Sequence, residues 1–264
     1  MTIEVAGFTA TEHTALGQTR VVYRRGEGPP VLLMHEVPGI TPKVAECARR
    51  IADAGFSVAM PWLFGTPNRR TSFPYSSGQI WRACVGREFS VWARNEASPI
   101  TEWLRALSRS LHEETGQPVG AIGMCLTGNF ALALMVDEHL MAPVLSQPSL
   151  PFNVTPWHSR GLHVSDEQLV TIKRRAGEGV GVLGMRFTHD VMCVRPRFDR
   201  LREELGDGFE AIEIDSSPGN RHGIPITAHS VVAFDFVDEV GHPTHDALDR
   251  VIEFFRERLS VPAP

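Results

Sequence analysis

Apolar runs of strand length alternate along this chain with segments of 3.6-residue period, and few folds accommodate that alternation. It calls for βαβ units, a parallel sheet and right-handed crossovers, with helices covering both faces of the sheet. Strands are expected over Val31–Glu36, Ser57–Phe64, Ala142–Gln147, Gly179–Phe187 and Phe209–Asp215. A helix from Pro42 to Ala54 places Val44, Cys47, Ala48 and Ile51 on one face, with Gly55 as its C-terminal stop. Ser98-Pro99 reads as the cap and first position of another helix, whose inward stripe is Ile100, Trp103, Leu104, Leu107 and Leu111. Further helices are expected over Arg197–Leu205 and Thr244–Leu259. No repeat and no Ser/Gly-rich linker interrupts the pattern, so residues 1–264 read as one doubly wound, mostly parallel α/β domain.

One βα unit carries more than architecture. Pro118-Val-Gly-Ala-Ile-Gly-Met-Cys-Leu-Thr-Gly-Asn-Phe-Ala-Leu-Ala-Leu-Met135 runs from an apolar strand through a turn of small residues directly into a helical pattern. That is the layout of a nucleophile elbow, with Cys125 at the position that presents its side chain above the sheet. The first N–H groups of the following helix favour negative charge there. By itself this stretch fits either a reactive thiol or a buried apolar cysteine.

Composition bounds the remaining possibilities. With 26 Lys and Arg against 31 Asp and Glu, and no long basic run, nothing favours nucleic acid or an anionic membrane as a partner. The opening MTIEVAGFTATEH lacks a signal-peptide pattern, no stretch has the length of a membrane span, and the four cysteines form neither CxxC pairs nor a disulfide framework. The expectation is a reduced, cytoplasmic protein, a monomer or homodimer, acting on a small molecule without cofactor or metal. There is no GxGxxG after the first strand and no Walker-type phosphate loop.

Residues 65–97 and 148–165 break the strand and helix rhythm. Both leave from the carboxyl ends of strands, where open α/β sheets bind ligands, and are expected to shape a pocket. A thiol nucleophile also needs a base, and the base an orienting acid. Asp190 follows the strand ending at Phe187, and His229 lies in the loop after the last strand, giving the order nucleophile, acid, histidine found in α/β-hydrolases. His222 in the same loop is the rival base. His242 and His245 sit where a helix begins and read as capping or surface groups, their spacing too sparse in ligands for a metal site. Glu36, just past the first buried strand, stands where the second oxyanion-hole amide is expected. A carboxylate there opposes an oxyanion unless it addresses another group, and the thiol is the group expected.

His35-Glu-Val-Pro-Gly-Ile40, Ala54-Gly-Phe-Ser-Val-Ala-Met-Pro61 with Trp62-Leu-Phe-Gly65, Gly123-Met-Cys-Leu-Thr-Gly128, Arg186-Phe-Thr-His-Asp190 and Ala228-His-Ser230 follow one another in an order that resembles the dienelactone hydrolase family over nearly the whole chain. The resemblance implies an α/β-hydrolase fold and a carboxylic ester hydrolase of the carboxymethylenebutenolidase type. It implies Cys125 as nucleophile, His229 as base and Asp190 as orienting acid. It also implies that Glu36 takes the thiol proton when substrate binds, and that the Leu126 and Val37 N–H groups form the oxyanion hole. The product would be an acyl-thioester that water then cleaves.

Two positions depart from the family pattern. Thr127 stands where the elbow usually has glycine, and Ala233 stands where one of two arginines holds the substrate carboxylate. Arg82 and Arg87 lie in the region of the other, and Trp81, Phe73, Tyr75, Phe89 and Trp92 form either an aromatic wall or packing. An ester or lactone hydrolase is therefore the leading expectation. A general carboxylesterase or thioesterase and a non-catalytic binding protein with the same fold are the alternatives.

Overall fold

The computed structural model describes residues 3–69 and 99–259. These form one eight-stranded sheet in the order β1-β2-β4-β3-β5-β6-β7-β8. The strands are β1 (Thr9–Ala15), β2 (Gln18–Arg25), β3 (Pro30–Met34), β4 (Ser57–Pro61), β5 (Val119–Met124), β6 (Leu140–Ser146), β7 (Val182–Phe187) and β8 (Phe209–Ile214). From β4 to β8 all neighbours run parallel, while β1 and β2 are antiparallel additions at one edge. The helices are α1 (Pro42–Asp53), α2 (Pro99–Thr115), α3 (Gly128–Leu134), a single turn at Pro156–Ser159, α4 (Asp166–Gly177), α5 (Arg195–Leu205) and α6 (Pro243–Leu259).

Alternation along the strands sorts the core into two layers. Leu32 and Met34 of β3, with Val119 and Ala121 of β5, pack with Trp103, Leu104, Leu107, Phe130 and Phe198 on one face of the sheet. Val31 and Leu33, with Ile122 and Met124, pack with α1 and α6 on the other, against Val44, Ile51, Val251, Phe254 and Phe255. A strand buried on both faces has no polar side, and for this reason β3 and β5 read as continuous apolar runs in sequence.

The observed elements depart from expectation in instructive ways. The edge hairpin β1-β2 is half exposed and rich in Thr, so its strands lack an apolar run; Leu16 and Gly17, both at positive φ, make its two-residue turn. Helix α4 is weakly apolar, with Ile172, Arg175 and Ala176 as its buried residues. Its clear signal is the capping box of Ser165 and Gln168, which satisfy each other's amides. Strand β3 stops at Met34 rather than Glu36, and β4 at Pro61 rather than Phe64, because the chain turns out of the sheet there. Buried His35 seals that turn: it accepts from the Leu63 N–H at 3.1 Å and donates to the Glu36 carbonyl at 3.1 Å. Burial pushes its pKa down to about 4, which keeps the ring neutral for this double role.

Of the two irregular segments, residues 70–97 lie outside the described residues, whereas 148–165 is tied to the domain by one side chain. Arg197 of α5 is fully buried and its guanidinium donates to the carbonyls of Pro148 (2.7 Å), Pro151 (2.6 Å), His158 (3.0 Å) and Gly161 (2.9 Å). Burial lowers its pKa to about 10, so it remains a cation at neutral pH. Removing a buried charged donor strands four carbonyls at once. Arg197→Leu should therefore lower unfolding stability by about 3 kcal/mol or more in urea titrations; a loss within about 0.5 kcal/mol, as at an ordinary surface site, would show that the segment is held by other contacts.

Candidate active site

Cys125 directly follows β5 and has φ 54°, a left-handed conformation that is costly for a residue with a Cβ. The turn closes so tightly that a Cβ on Gly123 would lie 2.2 Å from the Thr127 carbonyl oxygen, and one on Gly128 would lie 2.5 Å from Pro148 Cα. Cys125 to Thr127 form a single 3-10 turn before α3, rather than the immediate α-helix implied by the sequence pattern. Thr127, the departure from the family's glycine, has a structural purpose. Its fully buried hydroxyl accepts from the Met124 N–H at 2.9 Å and lies 2.8 Å from the Met34 carbonyl, tying the elbow to the end of β3.

Register aligns the other candidates with the elbow. Met34 pairs with Gly123, so Val37 and Leu126 each lie three residues beyond a matched pair on adjacent parallel strands. On the opposite side of β5, Met124 pairs with Ser146, which sets Cys125 level with Gln147. Asp190 lies three residues past the end of β7, and His229 reaches the same edge from the loop after β8.

The structure brings Asp190 and His229 together. The His229 Nδ1–H donates to Asp190 Oδ2 at 2.6 Å. Asp190 Oδ1 is held by the N–H groups of Met192 (2.8 Å) and Cys193 (3.1 Å), leaving the carboxylate one orientation. Asp235 accepts from the backbone amides of His229 (2.8 Å) and Ser230 (2.9 Å), fixing the histidine from behind. Burial disfavours the imidazolium, but its neighbours Cys125 and Asp190 favour it more strongly, so the His229 pKa is held well above its ordinary value. The imidazole is thus fixed to the acid through Nδ1, while its Nε2 is buried with no hydrogen-bond partner among the described residues. His222 is elsewhere: it accepts from Arg221 Nε at 2.8 Å and lines a cavity of about 400 Å3 between β8 and α6 that none of Cys125, Glu36, Asp190 or His229 borders. His242 bonds the Thr244 hydroxyl at 2.8 Å at the start of α6, in keeping with a capping group.

Glu36 is buried beside this array, but both its oxygens are engaged by groups other than the thiol expected to attract it. Oε1 accepts from the Ser230 hydroxyl at 2.8 Å and Oε2 from the Gln147 side-chain amide at 3.0 Å. Burial raises its pKa to about 7, opposed by the charge of His229 and by both donors and reinforced by Asp235. Ala233, at the place of a family arginine, is packed in the core with Val231 and Val232. Arg82, Arg87 and Trp81 lie outside the described residues. Among the described residues no helix is long and apolar enough to cross a membrane, and no group of three His, Cys, Asp or Glu is placed to hold a metal ion.

Sequence reasoning missed Gln147, Ser230 and Asp235. The available signal was position: each is a polar residue at, or in a loop beyond, the carboxyl end of a strand in a sheet whose strands are otherwise apolar. Glu36 also generates a test. A carboxyl whose pKa rises from an ordinary 4.5 to about 7 binds more protons folded than unfolded, so the protein should lose stability as pH rises from about 4.5 through 7. Replacing it as Glu36→Gln should remove that dependence, with a difference between the two proteins of about 3 kcal/mol developing between pH 4 and pH 8. Parallel melting curves across that range would refute the burial of a titrating carboxyl here.

Comparison with known proteins bears on the family and the fold. The profile of the dienelactone hydrolase family matches residues 18–259. A carboxymethylenebutenolidase of Rhodococcus opacus is 24% identical over 245 residues, 89% of this chain and 84% of that protein. Among solved structures, dienelactone hydrolase from Anabaena variabilis superposes with a TM-score of 0.58 at 13% identity, covering 96% of this chain and 98% of that one. A cold-adapted esterase from an Arctic intertidal metagenomic library gives 0.58 at 15% identity, covering 98% and 97%. At such identities the structural likeness speaks for the fold.

Proposed function

This chain belongs to the dienelactone hydrolase family, and within that family we propose that it is a cysteine-nucleophile hydrolase of carboxylic esters or lactones. The observation that carries the reading is a histidine held by a buried aspartate at 2.6 Å and electrostatically coupled to a cysteine at a strained elbow. That is the arrangement a thiol needs in order to act as a nucleophile.

The Cys125 sulfur attacks the substrate carbonyl carbon, and the carbonyl oxygen becomes an oxyanion received by the Val37 and Leu126 N–H groups. Collapse of this intermediate expels the alkoxide, which takes its proton from the His229 imidazolium, and leaves an acyl-thioester on Cys125. Water then attacks the thioester, giving its proton to His229 Nε2, and a second collapse frees the acid and expels the Cys125 thiolate, which regains its proton from Glu36. Asp190 holds Nδ1–H throughout, so that Nε2 is the nitrogen that exchanges protons. Glu36 is the proton acceptor that generates the thiolate when substrate enters, exchanging the Ser230 or Gln147 hydrogen bond for the thiol proton. A carboxyl that titrates near pH 7 is matched to that task.

Buried Ala233 supplies no charge to a substrate carboxylate, which favours an ester or lactone recognised by groups other than a clamp at this position. Cys125→Ala should cut hydrolysis across a panel of activated esters and lactones by at least about a thousandfold while leaving the melting temperature within a few degrees. Intact-mass spectrometry of the wild type, quenched during turnover, should find one acyl group, mapped by digestion to Cys125. Wild-type rates in the alanine variant would sink the assignment.

A further inference from the structure

We propose that Gln147 is a positioning residue for hydrolysis: from the strand on one side of the nucleophile it fixes the carboxylate of Glu36, which comes from the strand on the other side. This inference rests on the reading of Cys125 as nucleophile and Glu36 as its proton acceptor.

Strand β5 lies between β3 and β6. Glu36 follows β3, Cys125 follows β5 and Gln147 follows β6, so the Gln147–Glu36 hydrogen bond links the two strands that flank the elbow. Gln147 is fully buried and has φ 35°, so like Cys125 it is a non-glycine residue held in left-handed backbone at a strand end. Its backbone N–H continues the sheet by donating to the Met185 carbonyl at 2.7 Å.

The amide has a defined orientation. Its Oε1 accepts from the Ser146 hydroxyl and from the Val231 N–H at 3.4 Å, both of which are donors, so Nε2 is the atom left to face Glu36. Ser230 is oriented in the same way. Its oxygen accepts from the Phe234 N–H at 2.8 Å, and its single proton goes to Glu36 Oε1. Both of these contacts to Glu36 are therefore donors, one to each oxygen. This cradle favours the carboxylate in a place where burial disfavours it. The other titratable groups acting on Glu36 are His229 and Asp235 from the loop after β8 and the Cys47 thiol from α1.

The test separates positioning from packing. Gln147→Glu keeps the size and both contacts of Oε1 but turns the donor into an oxygen. It should move the acidic limb of the kcat/KM profile upward by at least about one pH unit, and lower kcat/KM at pH 7 about tenfold. Gln147→Met, which removes the amide altogether, should move the limb in the same direction if Gln147→Glu proves too unstable to assay. The exchanged pair Glu36→Gln with Gln147→Glu restores a donor and an acceptor across the gap. It should regain melting temperature relative to Gln147→Glu without regaining turnover, because the carboxylate is then on the wrong residue. An unmoved limb in both single variants, or recovery of activity in the exchanged pair, would overturn the role of Gln147. Cys125→Ala assayed alongside distinguishes the failures: activity lost there with an unmoved limb in the Gln147 variants removes only this inference, whereas activity retained there removes the thiol reading and this inference with it.

Discussion

Everything at the candidate site depends on a single strained turn. Holding Cys125 at φ 54° costs on the order of 1–3 kcal/mol, and the conformation persists only where surrounding structure over-determines it. Here that structure consists of a glycine at 123 that lets the chain fold back on the Thr127 carbonyl, a second glycine at 128 seated against Pro148, and the Thr127 hydroxyl tied to β3. Thr127 takes the place of the glycine usual in the family, and its hydroxyl is absorbed by hydrogen bonds to the ends of β3 and β5. Cys125 is almost wholly buried there, within electrostatic reach of His229.

Around the turn, electrostatics organises two buried carboxyl groups and a partly buried histidine. Asp190 is held by two backbone amides and the imidazole, so its charge is fully hydrogen-bonded. His229 gains from Cys125 and Asp190 more than it loses by burial. Glu36 is the balanced case: burial favours its neutral form, two fixed donors favour its charged form, and its pKa of about 7 reflects the contest. The same low dielectric that makes an unpaired carboxylate costly makes each of these hydrogen bonds count for more.

Much of this was legible in the residues. The elbow is spelled out between Gly123 and Gly128, and the acid and histidine follow strand ends in the order such a site requires. The choice between His222 and His229 was harder, since both lie in one loop and only the folded path of that loop sends one to Asp190 and the other to the cavity between β8 and α6. Arg197 gave no local sign of its importance, since an arginine in the first turn of an amphipathic helix ordinarily faces solvent. Its burial under the 148–165 segment follows from where that segment lies in space. The edge hairpin was hard to see because its strands are half exposed and lack an apolar run.

Sequence by itself determined the layered α/β architecture and singled out the thiol, acid and histidine as candidates, because strand periodicity, turn glycines and element order are local properties. Tertiary structure decided which polar groups meet. Glu36, Gln147 and Ser230 are separated by 111 and 194 residues in their pairings with the carboxylate, and no local pattern encodes such contacts. Glu36 and Gln147 come together because parallel strands in register end level with one another, and Ser230 reaches the same edge on the loop after β8. The direction of Glu36 was decided in the same way: sequence chemistry aimed it at the thiol, whereas the folded chain surrounds it with two oriented donors.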